Sequence, residues 1–316
     1  MTVKKPKLTL EEIKALSDEI LALKEEKNAV LLAHYYQIMP IQGIADRVGD
    51  SLGLAKAAKE IKKADLIVFA GVYFMAETAK LLNPETKVLI PNVKASCPLA
   101  DQCNPELIDS AREKYPDAPV VVYVNTTAET KAHADLTCTS SNAAKIVERL
   151  DVPEVIFGPD RNLGFYVQKQ LPEVKLHFVP PNGHCYVHKR FDLETILAIK
   201  KEHPGAILIA HPECNPDIQE HADFVGSTAK MLRFAEEATE KEIIVATEKG
   251  LVDRLSELYS DKQFYLAKNT AICRNMKRIT LENLRDALLY EQYEVTIPEA
   301  VQINAKKAIL RMLELS

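Results

Sequence analysis

The chain has 316 residues, 47% of them hydrophobic and 27% charged, with only 10 Gly and 17 Pro. That balance fills globular cores and excludes a disordered or fibrous chain. A net charge of −5, with no basic tract interleaved with aromatics, offers no general attraction for nucleic acid.

From the N-terminus, Met1-Thr2-Val3-Lys4-Lys5-Pro6-Lys7 leads into an amphipathic, Glu- and Lys-rich helix. No apolar segment follows the basic residues, and no run approaches the ~20 apolar residues that span a bilayer, so neither a secretory signal nor a membrane span is expected. The expected compartment is a reducing cytoplasm, where the 6 cysteines serve as thiols or metal ligands rather than as disulfides. Beyond the first helix the pattern runs strand, hydroxyl-led helix, strand, helix, strand, Asn-then-Cys loop, helix, and it does so three times. Strands are expected over 28–34, 65–71 and 87–90, then 119–124, 154–158 and 174–179, then 206–210, 242–246 and 263–267. Short, continuously apolar strands alternating with helices predict parallel sheets covered on both faces.

The repetition has a period of 88. Cys97, Cys185 and Cys273 are 88 residues apart at each step, as are the ends of the apolar runs at Phe69, Phe157 and Val245. Pro116 and Pro204 share the interval, and so do His133-Ala134-Asp135 and His221-Ala222-Asp223. A related element near the start has Ala45-Asp46 followed by Ser51, as Ala134-Asp135 is followed by Ser140 and Ala222-Asp223 by Thr228. These hydroxyls are expected to be helix N-caps that can also receive anions. The triplication predicts an α/β fold of three similar α/β/α sandwich domains with parallel sheets, at 1–116, 117–204 and 205–316, closed around a pseudo-threefold axis. Closure brings the loops at the carboxyl ends of the strands together, which is where α/β sheets build ligand sites.

The three in-register cysteines follow Asn92, Asn182 and Asn269 in similar loops. Three converging thiolates suit an iron–sulfur cluster with one iron free of protein ligand, and zinc with three cysteines and a water is the competing metal. Cys103, Cys138 and Cys214 fall outside the register and are expected to be buried and inert. The first-strand loops Ala33-His34-Tyr35-Tyr36-Gln37, Tyr123-Val124-Asn125-Thr126-Thr127 and His211-Pro212-Glu213 supply carboxylate donors in His34, Tyr123, Asn125 and His211. Glu213 is a candidate general base and Tyr36 a second acid–base candidate. His184 and His188 flank Cys185 without counterparts in the other repeats and are assigned to local support.

With these residues in view, the chain resembles the quinolinate synthase family over essentially its whole length. The resemblance rests on His34-Tyr35-Tyr36, Gly49-Asp50-Ser51, Phe74-Met75-Ala76-Glu77, Tyr123-Val124-Asn125-Thr126, Thr139-Ser140-Ser141-Asn142, Gly183-His184-Cys185, His211-Pro212-Glu213-Cys214 and Gly226-Ser227-Thr228, taken in order with the three cysteines. It implies condensation of iminoaspartate with dihydroxyacetone phosphate to quinolinate, phosphate and water in NAD biosynthesis. It also implies a [4Fe-4S] cluster on Cys97, Cys185 and Cys273, whose open iron acts as a Lewis acid. By the same resemblance, His34, Ser51, Tyr123, Asn125, Ser140, His211, Glu213 and Thr228 bind substrate, and Tyr36 and Glu213 move protons. Functional coupling to an L-aspartate oxidase is implied as well. Two departures are visible: Cys273 is followed by Arg274-Asn275-Met276 where many relatives have Pro, and the extra C-terminal cysteines of some relatives are missing. The second argues against thiol–disulfide regulation near the site. Competing readings are a cluster enzyme resembling those of diphthamide synthesis or hydroxymethylbutenyl-diphosphate reduction, and a non-catalytic metal-binding or ligand-sensing module.

Overall fold

A computed structural model of the protein describes residues 8–316; the basic segment 1–7 lies outside the described residues. It contains three four-stranded, all-parallel sheets. The first comprises β1 (Ala29–His34), β2 (Arg47–Gly49), β3 (Leu66–Ala70) and β4 (Lys87–Leu89). The second comprises β5 (Val120–Tyr123), β6 (Leu136–Cys138), β7 (Glu154–Gly158) and β8 (Lys175–Phe178). The third comprises β9 (Ile207–Ala210), β10 (Phe224–Val225), β11 (Glu242–Ala246) and β12 (Gln263–Leu266). Strand order is the same in each: β2-β1-β3-β4, β6-β5-β7-β8 and β10-β9-β11-β12. The long strands are buried on both faces, as their unbroken apolar runs require. No helix among the described residues is long and apolar enough to cross a membrane.

The 88-residue period extends through the secondary structure. The middle strands begin at Leu66, Glu154 and Glu242, and the helices after them at Tyr73, Arg161 and Lys249. The helices after the Cys loops begin at Pro105, Leu193 and Leu281. The short edge strands β2, β6 and β10, absent from the sequence expectation, carry only two or three residues each. Their place is set by the repeated Ala-Asp element: the carboxylates of Asp46, Asp135 and Asp223 accept the backbone N–H of Leu31, Val120 and Leu208 at 2.7, 2.8 and 2.7 Å. The Asp repeat is therefore a structural staple at the start of each first strand.

Packing joins the repeats into a ring. The helix Pro105–Lys114 buries Ile108 against Val120 and Val122 of the second sheet. The helix Leu193–Glu202 buries Ile196 against Leu208 and Ile244 of the third. The helix Leu281–Tyr290 returns to the first sheet, where it packs on β3 and on the N-terminal helix Leu10–Glu26. The following segment adds to the edge of β4, with Val295 N donating to Val88 O at 2.8 Å, which covers an otherwise open strand edge. The last helix, Glu299–Glu314, lies against β6 of the second sheet. Each post-Cys helix thus completes the next sheet around the ring.

Candidate active site

One cavity lies where the three sheets meet, lined by groups from all three repeats. Its wall includes Cys97, Cys185 and Cys273, and also His34, Tyr36, Ser51, Tyr123, Asn125, Ser140, His211, Glu213 and Thr228. Every site residue expected from the sequence is thus in one place. Cys103, Cys138 and Cys214 are buried elsewhere.

The three thiols sit on equivalent turns. Short 3-10 helices begin at Ala100, His188 and Met276, three residues after each cysteine. The backbone N–H of Ala100, His188 and Met276 donates to the sulfur of Cys97, Cys185 and Cys273 respectively. Burial pushes their pKa values up, that of Cys97 to about 12; nearby carboxylates add to this at Cys185 (Glu213) and Cys273 (Glu248), and neighbouring thiols at Cys97 and Cys185. Three thiolates in this setting need a cationic group among them, and the converging N–H donors suit a cluster's sulfur ligands. The residues present fit such a group.

Two of the cysteine loops carry a further clamp. Asp160, fully buried, accepts from Leu163 N at 2.8 Å and from Cys185 N at 3.0 Å. Glu248, also fully buried, accepts from Gly250 N at 2.6 Å and from Cys273 N at 3.1 Å. Each carboxylate N-caps the helix after its sheet's middle strand while gripping the cysteine loop. The first repeat has Val72 at this position and makes no such bond. Lys277 neutralises Glu248 at 3.1 Å and donates to the carbonyl of Tyr36, linking the Cys273 loop to the first repeat.

The hydroxyls are placed differently from expectation. The caps are Asp50, which accepts from Gly53 N at 2.8 Å, and Ser227, which accepts from Lys230 N at 3.4 Å. Ser51 and Thr228 are the first helical residues, and Ser140 precedes the Asn142 cap. None of the three is an N-cap; all three line the cavity, where Ser140 is hydrogen-bonded to the Tyr123 side chain. Behind them Asp50 Oδ2 accepts from Ser141 Oγ at 2.8 Å and Ser227 Oγ at 3.1 Å, and one residue from each repeat meets there.

Burial lowers the His34 pKa to about 4 and that of His211 to about 3, so both rings are neutral near pH 7. The N–H of Tyr36 donates to His34 Nδ1 at 3.1 Å and that of Glu213 to His211 Nδ1 at 3.3 Å. With Nδ1 accepting, Nε2 carries the proton in each ring and is the available donor. Asn125 Oδ1 is buried without a hydrogen-bond partner among the described residues.

His188, assigned to local support from the sequence, instead occupies the centre of the acid–base groups. Its Nδ1 lies 2.6 Å from Glu213 Oε2 and its Nε2 3.0 Å from Thr247 Oγ1. Thr247 Oγ1 is 2.7 Å from the Tyr36 hydroxyl. Burial pushes the Glu213 carboxyl up, but its neighbours, His188 foremost, outweigh it and lower its pKa. Burial, with Glu213 nearby, pushes the Tyr36 and Tyr123 hydroxyls well above the ordinary range. Cys185, His188 and Glu213 place donor atoms within 4.8 Å of one another. A single ion there is disfavoured, because the 2.6 Å between His188 Nδ1 and Glu213 Oε2 is shorter than the separation of about 3.3 Å between two ligands of one tetrahedral zinc.

The profile of the quinolinate synthetase A protein family matches residues 18–314. The chain belongs to this family. It is 52% identical over 307 residues to the quinolinate synthase of Pyrococcus furiosus, covering 97% of this chain and all of the relative. It is 52% identical to that of Thermococcus kodakarensis over 305 residues, 96% of this chain and all of the relative. It is 50% identical to that of Methanocaldococcus jannaschii over 303 residues, 94% of this chain and 98% of the relative. Polar groups in and around the cavity extend beyond the residues expected from sequence; Asp50 lines it, and Ser141, Ser227, Asp160, Glu248 and Thr247 stand behind it. Asp50, Ser141 and Ser227 lay inside the quoted motifs without a role. Asp160 and Glu248 shared the 88-residue register, which could have found them. Thr247 offered no sequence signal.

Proposed function

We propose that the protein is a quinolinate synthase that condenses iminoaspartate with dihydroxyacetone phosphate to quinolinate, releasing phosphate and water, as a step of NAD biosynthesis. The observation that carries this reading is the single cavity in which three in-register cysteines, hydroxyls at or near helix starts, and neutral imidazole donors converge. When bound to Cys97, Cys185 and Cys273, a [4Fe-4S] cluster would supply a Lewis-acidic iron with no protein ligand.

The chain's own groups have separable tasks. Ser51 and Thr228, as first helical residues, and Ser140 beside the next helix receive the carboxylate and phosphate charges. His34 and His211 donate through Nε2, and Tyr123 and Asn125 complete the orientation of the substrate. Glu213, held ionised, takes a proton from the bound substrate, while Tyr36, held protonated by burial, gives one. His188 and Thr247 connect the two, so the donor can be reprotonated without opening the cavity to water.

The test is protein purified and reconstituted anaerobically with iron and sulfide, then supplied with both substrates. Quinolinate formation together with iron–sulfur absorption supports the reading. A colourless, iron-free protein after reconstitution overturns the cluster, and cluster-loaded protein that makes no quinolinate overturns the reaction.

A further inference from the structure

Each repeat ties down its first-strand loop with one long, buried side chain. Gln42 Nε2 donates to the carbonyls of Tyr35 and Gln37, both at 3.0 Å. Gln219 Nε2 donates to the carbonyls of Pro212 at 2.7 Å and Cys214 at 2.8 Å. Lys131 occupies the corresponding place in the second repeat, 88 residues before Gln219 and 89 after Gln42. Its Nζ donates to the carbonyl of Thr126. The three side chains are 3%, 4% and 0% exposed respectively.

Each tie also reaches a neighbouring repeat, and always in the same sense around the ring. Gln42 meets the Gly250 carbonyl at 3.5 Å, Gln219 meets the Asn162 carbonyl at 3.1 Å, and Lys131 lies 5.3 Å from the centre of the Phe74 ring. All three neighbours open the helix after a middle strand. Glu77, one turn beyond Phe74, offsets the ammonium charge and accepts the N–H of Ala128 at 3.0 Å. Thr126 in turn donates its hydroxyl to the carbonyl of Tyr123 at 3.0 Å. Fixing Thr126 therefore fixes the backbone on both sides of Asn125. Lys131 itself does not line the cavity.

We infer that Lys131 is a positioning residue, the second repeat's version of Gln42 and Gln219, which sets Tyr123 and Asn125 by donating to the Thr126 carbonyl. Its charge and its nucleophilicity have no part in the reaction, so an amide can replace it. The inference rests on the reading of Tyr123 and Asn125 as substrate-binding groups only for its kinetic consequence; the tie is testable without it.

The variants are Lys131→Gln and Lys131→Met, each made as cluster-loaded enzyme with iron content and absorption measured. Because Lys131→Gln leaves the Glu77 carboxylate without its ammonium, Glu77→Gln/Lys131→Gln accompanies it as the neutral pair. The glutamine variant or the neutral pair should keep kcat/KM within about threefold, while Lys131→Met should raise KM at least ~10-fold with the cluster unchanged. Hydrogen exchange across residues 123–128 should accelerate in Lys131→Met and stay at the parent rate in the neutral pair, whether or not quinolinate is the product. If Lys131→Met does not fold, the neutral pair decides: folded, cluster-loaded and inactive, it overturns the inference. Unchanged exchange and KM in folded Lys131→Met would also overturn it, as would borohydride trapping of the ketone substrate on Lys131.

Discussion

His188 Nδ1 stands 2.6 Å from Glu213 Oε2, joining the turn after Cys185 to the end of the third repeat's first strand. The contact makes one imidazole answer to both the cysteine turn, through its backbone N–H, and the carboxylate, through its ring. On the proposed reading, proton handling and metal ligation would share this element, and substitutions can separate them.

Replacing Glu213 by Gln keeps the shape of the site and removes the base. Quinolinate formation should fall by at least ~100-fold while cluster absorption is retained. Full turnover in this variant would remove Glu213 from the mechanism.

Any one of Cys97, Cys185 and Cys273 changed to Ser should cost the protein its cluster, measured as bound iron and visible absorption. The same change at Cys103, Cys138 or Cys214 should leave both intact, since those thiols are buried away from the cavity. A cluster that survives loss of an in-register cysteine would contradict the assignment.

Asp160 and Glu248 hold the N–H groups of Cys185 and Cys273. Asp160→Ala and Glu248→Ala should each release iron to a chelator ~10-fold faster or more, the range seen when support of a metal ligand is lost. Both changes also delete a helix cap. Thr280→Ala, which deletes the capping box of the helix Leu281–Tyr290 without touching a cysteine loop, is the control. Equal iron release from all three variants would reduce the clamps to ordinary caps.

The staple at Asp135 joins the start of β5 to β6 and also meets Arg112 at 3.2 Å. Asp135→Ala should lower unfolding stability by about 1–2 kcal/mol, the worth of a charge-assisted hydrogen bond, with the denaturant m-value unchanged.

Glu291 is held below the ordinary carboxylate range by its hydrogen bonds and ion pairs with Lys87 and Lys27. Its folded pKa is the lower one, so its stabilisation is present above the unfolded value near ~4.3 and is lost as the pH falls through the folded value. Unfolding midpoints against pH should fall less steeply below that point in Glu291→Gln than in the parent. Parallel curves would show that the pairs with Lys27 and Lys87 contribute nothing to folding.

Much of this arrangement was legible in the sequence because repetition is a one-dimensional signal. Equal spacing of Cys97, Cys185 and Cys273 placed the three thiols in equivalent loops, and apolar runs marked the long strands within a residue or two. The short strands β2, β6 and β10 escaped because two or three residues cannot show a period. The N-cap expectation for Ser51, Ser140 and Thr228 failed because a cap is decided by backbone geometry, and Asp50 and Ser227, one residue earlier, compete for the same N–H groups.

By itself the sequence determined the triplication, the three in-register cysteines and the polar groups at each strand end, since all of these recur at a fixed interval. Only the tertiary structure decided that His188 belongs with Glu213, Thr247 and Tyr36, four residues from four different segments with no spacing rule to connect them. Ring closure is the physical reason. Each repeat completes its packing on a neighbour, so contacts across the cavity depend on how sheets meet in space and leave no mark along the chain. The cysteines obey the repeat; His188, Glu213, Thr247 and Tyr36 break it, because their contacts are made across the ring and none of these residue types recurs at the fixed interval.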